Sequence, residues 1–239
     1  MGRAYEVRKA SIQKNGAIKA KLYSNYAKEI YLAAKSGGTD VDSNASLKRL
    51  VEKAKKEQVP SDIVKRAIDK VNSGVLENYT SCRYEGFGPG ASTLIVDCLT
   101  DNVNRTVSYV RTAFTKCKGK LGVANSVSHF YENLAVFGVK NHTEEELFES
   151  LMMDDVQIKD IETDDDLVVI TGDAKDYNNI RTALYNLDKD IDLEIDEVSM
   201  VALDKVTLTD PEEKELFEKL LNMLDDIEDV QNVYHNVEI

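Results

Sequence analysis

One stretch, Tyr84 to Gly122, constrains the fold more than any other part of the chain. Gly86, Gly88, Pro89 and Gly90 make a turn-rich start, and the apolar run Leu94, Ile95, Val96, Cys98, Leu99 reads as a buried strand. Asp101 and Asn102 follow as cap residues. Val103, Val107, Val110, Phe114 and Cys117 then recur at the spacing of one helix face, and Gly119 and Gly122 close the unit. Strand, cap, helix and stop within forty residues impose an α/β element.

Before that stretch the pattern is purely helical. Residues 3–20 are polar and basic, broken by Gly16, and read as a mobile arm or a loosely held helix. A helix is predicted from Ala20 to Lys35, with Leu22, Tyr23, Tyr26, Ala27, Ile30, Ala33 and Ala34 buried and Lys21, Lys28 and Lys35 along the opposite side. Asp42, Ser43 and Asn44 offer caps for a second helix to Gln58, whose outer side carries Lys48, Arg49, Lys53, Lys55 and Lys56. Pro60 and Ser61 introduce a third helix, ending near Gly74. Residues 1–77 are therefore expected to form a basic all-α module with an N-terminal arm.

After the central stretch, Ser126–Tyr131 is expected as a strand. A complete alternation follows: strand Leu134–Lys140, helix Glu144–Asp154, strands Gln157–Glu162 and Leu167–Thr171 around an Asp164–Asp166 turn, helix Tyr177–Leu187, strand Leu193–Ala202. That β-α-β-β-α-β order is the split βαβ arrangement, a sheet with its helices on one face. Asp210-Pro211-Glu212 starts a last helix, and Asp229–Val237 reads as a last strand. These two have no local partners, so 206–239 are expected to complete a domain begun by 78–133, with 134–205 inserted. The predicted class is α+β with three domains: the helical module and two sandwich-like α/β domains, the second inserted in the first.

The runs YEGFGPGA, DCLTDNVNRTVSYVRTAF, KGKLG and SVSHFYE, with AAKSGGTDVDSNASLKRLVEKAKKEQVPSDIVKRAI before them and DVQNVYHNV at the end, resemble the YebC/PmpR family of bacteria across the whole length. Relatives include a mitochondrial translational activator of cytochrome oxidase subunit I. The start departs from the usual Gly-His-Ser-Lys-Trp type of opening: Gly2, Arg3, Ala4, Tyr5 and Glu6 stand there, and the chain has no Trp, which resembles a sub-branch with a divergent N-terminus. The resemblance implies the same three-domain layout. It also implies two activities, DNA-binding transcriptional regulation and a ribosome-associated role in elongation through difficult stretches such as proline runs.

Charge bears on partners. The net charge of −13 conceals residues 1–70, with 16 Lys and Arg against 8 Asp and Glu, and residues 71–239, with 14 against 35. The front can meet a polyanion that the rest would repel. Three cysteines without a CxxC spacing indicate a reducing compartment, and neither a secretory h-region nor a membrane-length apolar run is present, so a cytoplasmic protein that meets no membrane is expected.

Other chemistry is weakly signalled. The Gly86–Gly90 cluster lacks the Lys-Ser/Thr of a P-loop and precedes its strand, so a turn needing positive φ is the simpler reading. Gly119-Lys-Leu-Gly122 matches a nucleic-acid clamp by letter but ends a helix, which favours a C-cap. His129, His142 and His235 lie far apart, and the acidic runs Asp164–Asp166 and Asp225-Asp226 lack the EF-hand pattern. No nucleophile elbow or HExxH occurs. No enzyme activity, cofactor or metal is expected.

The basic residues carry the functional expectation. Arg3, Arg8, Lys9, Lys14, Lys19, Lys21, Lys28, Lys35, Lys48, Arg49, Lys53, Lys55 and Lys56 are candidates for phosphate neutralisation. Arg105 and Arg111 either extend that surface or, for Arg105, pair with a local carboxylate. The helices on either side of Val59-Pro60 faintly suggest a helix-turn-helix. The expectation is a nucleic-acid-binding regulator, first of all a translation factor on ribosomal RNA with ribosomal proteins as further partners. DNA-binding transcriptional regulation is the alternative, and a protein-interaction adaptor working through the acidic α/β body a further one. A monomer is expected.

Overall fold

The computed structural model describes residues 17–164 and 166–238; the expected arm falls almost wholly outside them. Their order is α1 (Ala17–Gly37), α2 (Ala45–Lys56), α3 (Ser61–Asn72), β1 (Thr80–Phe87), β2 (Thr93–Thr100), α4 (Val103–Lys116) and β3 (Lys120–Leu121), then β4 (Tyr131–Lys140), α5 (Glu144–Met153), β5 (Asp160–Asp164), β6 (Leu167–Asp173), α6 (Tyr177–Leu187), β7 (Leu193–Ala202), α7 (Pro211–Asp225) and β8 (Val230–His235). The strands form two four-stranded sheets, β3-β1-β2-β8 and β5-β6-β4-β7, and the chain is α+β. Two compact units result. One comprises the described residues up to Ser126 with Leu208–Val233; the other comprises Val127–Thr207 with the residues from Tyr234 on.

In the first unit, α1 buries Tyr26, Ile30, Ala33 and Ala34 against Leu47 and Ala54 of α2 and Ala67 of α3. Asn44 joins α1 to α2. Its amide donates to the carbonyls of Ala33 and Gly38, each at 2.8 Å, and its oxygen accepts from Leu47 N at 3.1 Å. The α2 end turns through Gln58 at φ 58°, with Val59 N donating back to Ala54 O at 2.8 Å, a Schellman closure that leads into Pro60.

The first sheet begins with a hairpin. β1 pairs antiparallel with β2 in a register that sets Cys82 opposite Cys98 and Gly86 opposite Leu94. Gly90, at φ 62°, turns the hairpin, but Gly86 is needed for closeness: a Cβ there would stand 2.5 Å from the Phe114 ring of α4. The residue in the left-handed region after α4 is Lys118, at φ 57°, while Gly119 N donates to Phe114 O at 2.8 Å. β3 then pairs with β1, and β8, which follows α7 at the far end of the chain, takes the other edge beside β2.

The second sheet is the antiparallel split βαβ arrangement, its first strand central. Phe137, Val139, Val168 and Ile170 pack with Leu147 and Leu151 of α5 and Ile180 and Leu184 of α6. The expected strand over Ser126–Tyr131 is instead a 3₁₀ turn, Ser128–Phe130, followed directly by β4. Phe130 N donates to Val127 O at 2.9 Å, so Val127 and Tyr131 are buried four residues apart, a turn spacing that strand alternation imitates.

A buried carboxylate holds the first unit together. Asp229 is 4% exposed. Its oxygens accept from the Arg105 guanidinium at 2.9 and 3.1 Å and the Thr106 hydroxyl at 2.8 Å, and Lys28 Nζ lies 3.4 Å away. Its carbonyl accepts from Leu99 N at 2.8 Å. Burial acts to raise the pKa of Asp229, but Arg105, Thr106 and Lys28 outweigh it and hold the carboxyl below the ordinary range. Burial also pulls His235 down to about 4.

Three outcomes follow for stability. Asn44→Ala loses the cap and the amide's bonds to the Ala33 and Gly38 carbonyls, and chemical denaturation should show a loss of about 2 kcal/mol. Asp229→Asn leaves two cations facing a neutral group and should cost about 3 kcal/mol by the same measurement. His235 is a base whose folded-state pKa lies below its unfolded value of 6.5, so the unfolded chain protonates first. Its contribution is full above about 6.5 and is lost as the pH falls toward 4, on the order of 3 kcal/mol. Asp229, an acid with a depressed pKa, adds its own loss only below the ordinary carboxylate range, so unfolding followed against pH should decline in two successive windows.

Candidate nucleic-acid interface

The α2 helix is amphipathic. Leu47 and Ala54 are buried, Leu50 and Val51 are half-buried, and Lys48, Arg49, Lys55 and Lys56 are exposed on the other side. Lys53 is intermediate. Lys53, Lys55 and Lys56 fall in the last turn, where the negative end of the helix dipole favours cations. Lys48 reaches Asp42 only at 3.8 Å, with both side chains largely in solvent, an ion pair too loose to withdraw its charge. Beneath the helix, burial pushes the Glu29 carboxyl of α1 above the ordinary range against the pull of Lys53 and Arg49. Those two therefore serve partly as its counter-ions, and Lys48, Lys55 and Lys56 are the clearest outward charges of α2.

The α1 cations are placed otherwise. Lys21 donates to Asp225 O at 2.7 Å, and its pKa is lowered by burial, with Asp225 opposing. Lys28 is 8% exposed and engages Asp229. Lys35 donates to Glu77 O at 3.2 Å, with its ammonium 5.7 Å from the Tyr31 ring centre. The expected outward stripe of Lys21, Lys28 and Lys35 thus turns toward other parts of the same unit. Arg105 pairs with Asp101 at 2.8 Å and with Asp229 at 2.9 Å, its side chain 40% exposed. Lys19 is exposed at the start of α1. Arg3, Arg8, Lys9 and Lys14 lie outside the described residues.

Several exposed groups escaped the sequence reading. Lys65 and Arg66 stand on the solvent side of α3. On α4, Tyr109 is 54% exposed with Lys116 exposed two turns further along the same side, while Arg111, already named from the sequence, is exposed on another side of the helix. The helical spacing that identified the buried stripe also predicts what lies opposite it, and Tyr109 is legible on that basis. An exposed ring among cations is the kind of platform on which bases stack.

The alternative chemistries find no support. Lys120 and Leu121 pair into the sheet as β3, so the Gly119–Gly122 run is part of a strand return rather than a clamp between two helices. The Gly86–Gly90 run belongs to a hairpin whose Gly90 meets Leu208 and Glu213 of the same unit. His142 stands 3.6 Å from both Glu146 and Asp188, and His129 stacks on Phe130 with ring centres 3.9 Å apart. Asp165 is outside the described residues, and among those described no group of three or more His, Cys, Asp or Glu could hold a metal. Cys82, Cys98 and Cys117 are free thiols. No described helix is long and apolar enough to cross a membrane.

Comparison with known proteins agrees with this architecture. Residues 3–74 match the TACO1/YebC protein N-terminal domain, and residues 79–237 match the TACO1/YebC second and third domain. A protein of Vibrio parahaemolyticus named "probable transcriptional regulatory protein" is 46% identical over 239 residues, covering all of both chains. One of the same name from Saccharophagus degradans is 46% identical over 238 residues, again covering all of both. The crystal structure of a conserved hypothetical protein from Aquifex aeolicus superposes with a TM-score of 0.77 at 32% identity, covering 92% of this chain and 90% of that one. With both of the family's domain patterns in order and relatives aligned end to end, this chain belongs to the TACO1/YebC family.

Proposed function

We propose that this chain is a non-enzymatic regulator of gene expression that binds nucleic acid on the outward side of α2, with ribosomal RNA as the target and translation as the process. The observation that carries the reading is the exposure of Lys48, Lys55 and Lys56 on one helix, whereas Lys21, Lys28 and Lys35 of α1 bond to other parts of the same unit. Such an array neutralises phosphates and releases counterions, giving an affinity that falls steeply with salt. Lys65 and Arg66 of α3 extend the same charge, and Tyr109 with Lys116 of α4 offers a second contact. The strongly acidic balance of residues 71–239 disfavours a polyanion over most of that part, which favours contact at the front of the chain and suits a ribosome, where RNA and protein surfaces alternate.

A second reading rests on a separate observation. The relatives are named probable transcriptional regulatory proteins, which supports duplex DNA as the target and promoters as the place of action. The helix pair α2–α3 is the element that would enter a groove.

The experiment compares the parent chain with Lys48→Glu/Lys55→Glu/Lys56→Glu. Binding to ribosomal RNA fragments and to promoter duplexes is followed across salt concentrations, alongside cosedimentation with ribosomes. The triple reversal should weaken binding by about a hundredfold or more and lower the slope of log K against log salt by about 2 to 3. Lys28→Met should leave that slope unchanged while lowering stability. Cosedimentation that the reversal abolishes supports translation; a salt-sensitive duplex complex without ribosome association supports transcription. An unchanged slope for the triple variant overturns both.

A further inference from the structure

The nucleic-acid reading leaves the second unit without a task. Residues 127–207 carry 21 Asp and Glu against 6 Lys and Arg. Most large apolar side chains there are buried, but along α5 three adjacent ones are not: Phe148 is 45% exposed, Met152 48% and Met153 85%. Phe148 and Met152 are four apart and share a side of the helix, turned away from Leu147 and Leu151, which face the core. Single exposed apolar residues are ordinary, whereas a contiguous set on one rigid helix is a contact surface.

That surface is rimmed by one sign of charge. Glu144, Glu145 and Glu146 occupy the first turn, Glu149 lies between Phe148 and Met152 in sequence, Asp154 and Asp155 follow, and the last turn holds no basic residue. The helix is held firmly in place. Thr143 and Glu146 form a reciprocal capping box, the Thr163 hydroxyl of β5 donates to Glu144 at 2.6 Å, and Asn186 of α6 donates to Asp154 at 2.9 Å. Methionine side chains adapt to differently shaped apolar partners. An acidic rim repels nucleic acid and anionic lipid headgroups alike, and it attracts a chain bearing Lys and Arg.

We propose that the outer side of α5, centred on Phe148 and Met152 and rimmed by Glu145 and Glu149, is a docking surface for a basic amphipathic helix of a protein partner. The partner lays apolar side chains over Phe148 and Met152 and places its cations against the glutamates, a helix-on-helix contact read by side chains three and four apart. The surface is independent of α2, so either proposal can fail without the other.

The test uses the full chain and two fluorescein-labelled 16-residue peptides. One has leucine and lysine at helical amphipathic spacing; the other has the same lysines with serine in place of leucine. Fluorescence anisotropy should give micromolar binding for the first and at least tenfold weaker binding for the second. Met152→Glu and the pair Glu145→Lys/Glu149→Lys should each weaken the first by tenfold or more. Both sites are at the surface, so circular dichroism and the melting temperature should match the parent, and binding to nucleic acid should be unchanged. Equal binding of the two peptides, or binding indifferent to Met152→Glu, overturns the proposal. Concentration-dependent dimerisation that Met152→Glu abolishes, seen by sedimentation, overturns it in favour of a second copy as the occupant.

Discussion

A carboxylate almost without solvent is costly to bury, and the geometry around Asp229 is arranged to offset that cost. Asp229 receives a guanidinium, an ammonium and a hydroxyl from α4 and α1, while its own carbonyl takes the Leu99 amide of β2. Desolvation of an isolated charge would dominate any gain from apolar packing nearby. With cations from two helices it becomes a fixed point instead. Neighbouring polar contacts repeat the connection: Lys21 to Asp225 O, Ser24 to Glu228 and Gln231 to Asn25 run from α1 to the same segment. The three-helix module is thereby tied to the first sheet through hydrogen bonds whose directions admit one arrangement.

That tie also sorts the charges of the module. A basic composition says only that cations exceed anions; it does not say which of them face outward. Lys21, Lys28 and Lys35 are spent on carbonyls and on Asp229, and Arg105 on two carboxylates, whereas Lys48, Lys55 and Lys56 on α2 keep their solvent exposure. The outward surface of α1 and α2 available to a polyanion is consequently narrower than the net charge of residues 1–70 suggests, and α2 bears most of it. The opposite bias of the second unit, acidic and with an apolar helix edge, suits partners of the other sign.

Much of the fold was legible because its periods are clean. The six-element alternation from Leu134 to Ala202 reads directly as the split arrangement, and Asn44, Asn102 and Asp210 all cap the helices their positions promised. β1 was harder to see. Its run Thr-Ser-Cys-Arg-Tyr-Glu-Gly-Phe is half polar, since it pairs its exposed side through Arg83 and Asp97 rather than burying it. The 3₁₀ turn at Ser128–Phe130 imitated a strand because burial every fourth residue also satisfies alternation. The inward turn of the α1 lysines was beyond reach. Periodicity identifies a polar side, but the groups that meet this one lie some two hundred residues away.

That separation sets an order of events. Synthesis delivers α1, the β1–β2 hairpin and α4 long before the segment that carries Asp229 and β8. Until those final residues emerge, β2 has an open flank, Lys28 has no counter-ion and Arg105 has only Asp101. Meanwhile β4 through β7, contiguous in the chain, can close its own sheet during elongation. The second sheet can therefore close first, and the half that bears the basic helix acquires its final shape only when the last stretch of polypeptide is released, so a chain truncated before residue 229 would keep the strands of the second sheet but leave the first without its β8 edge.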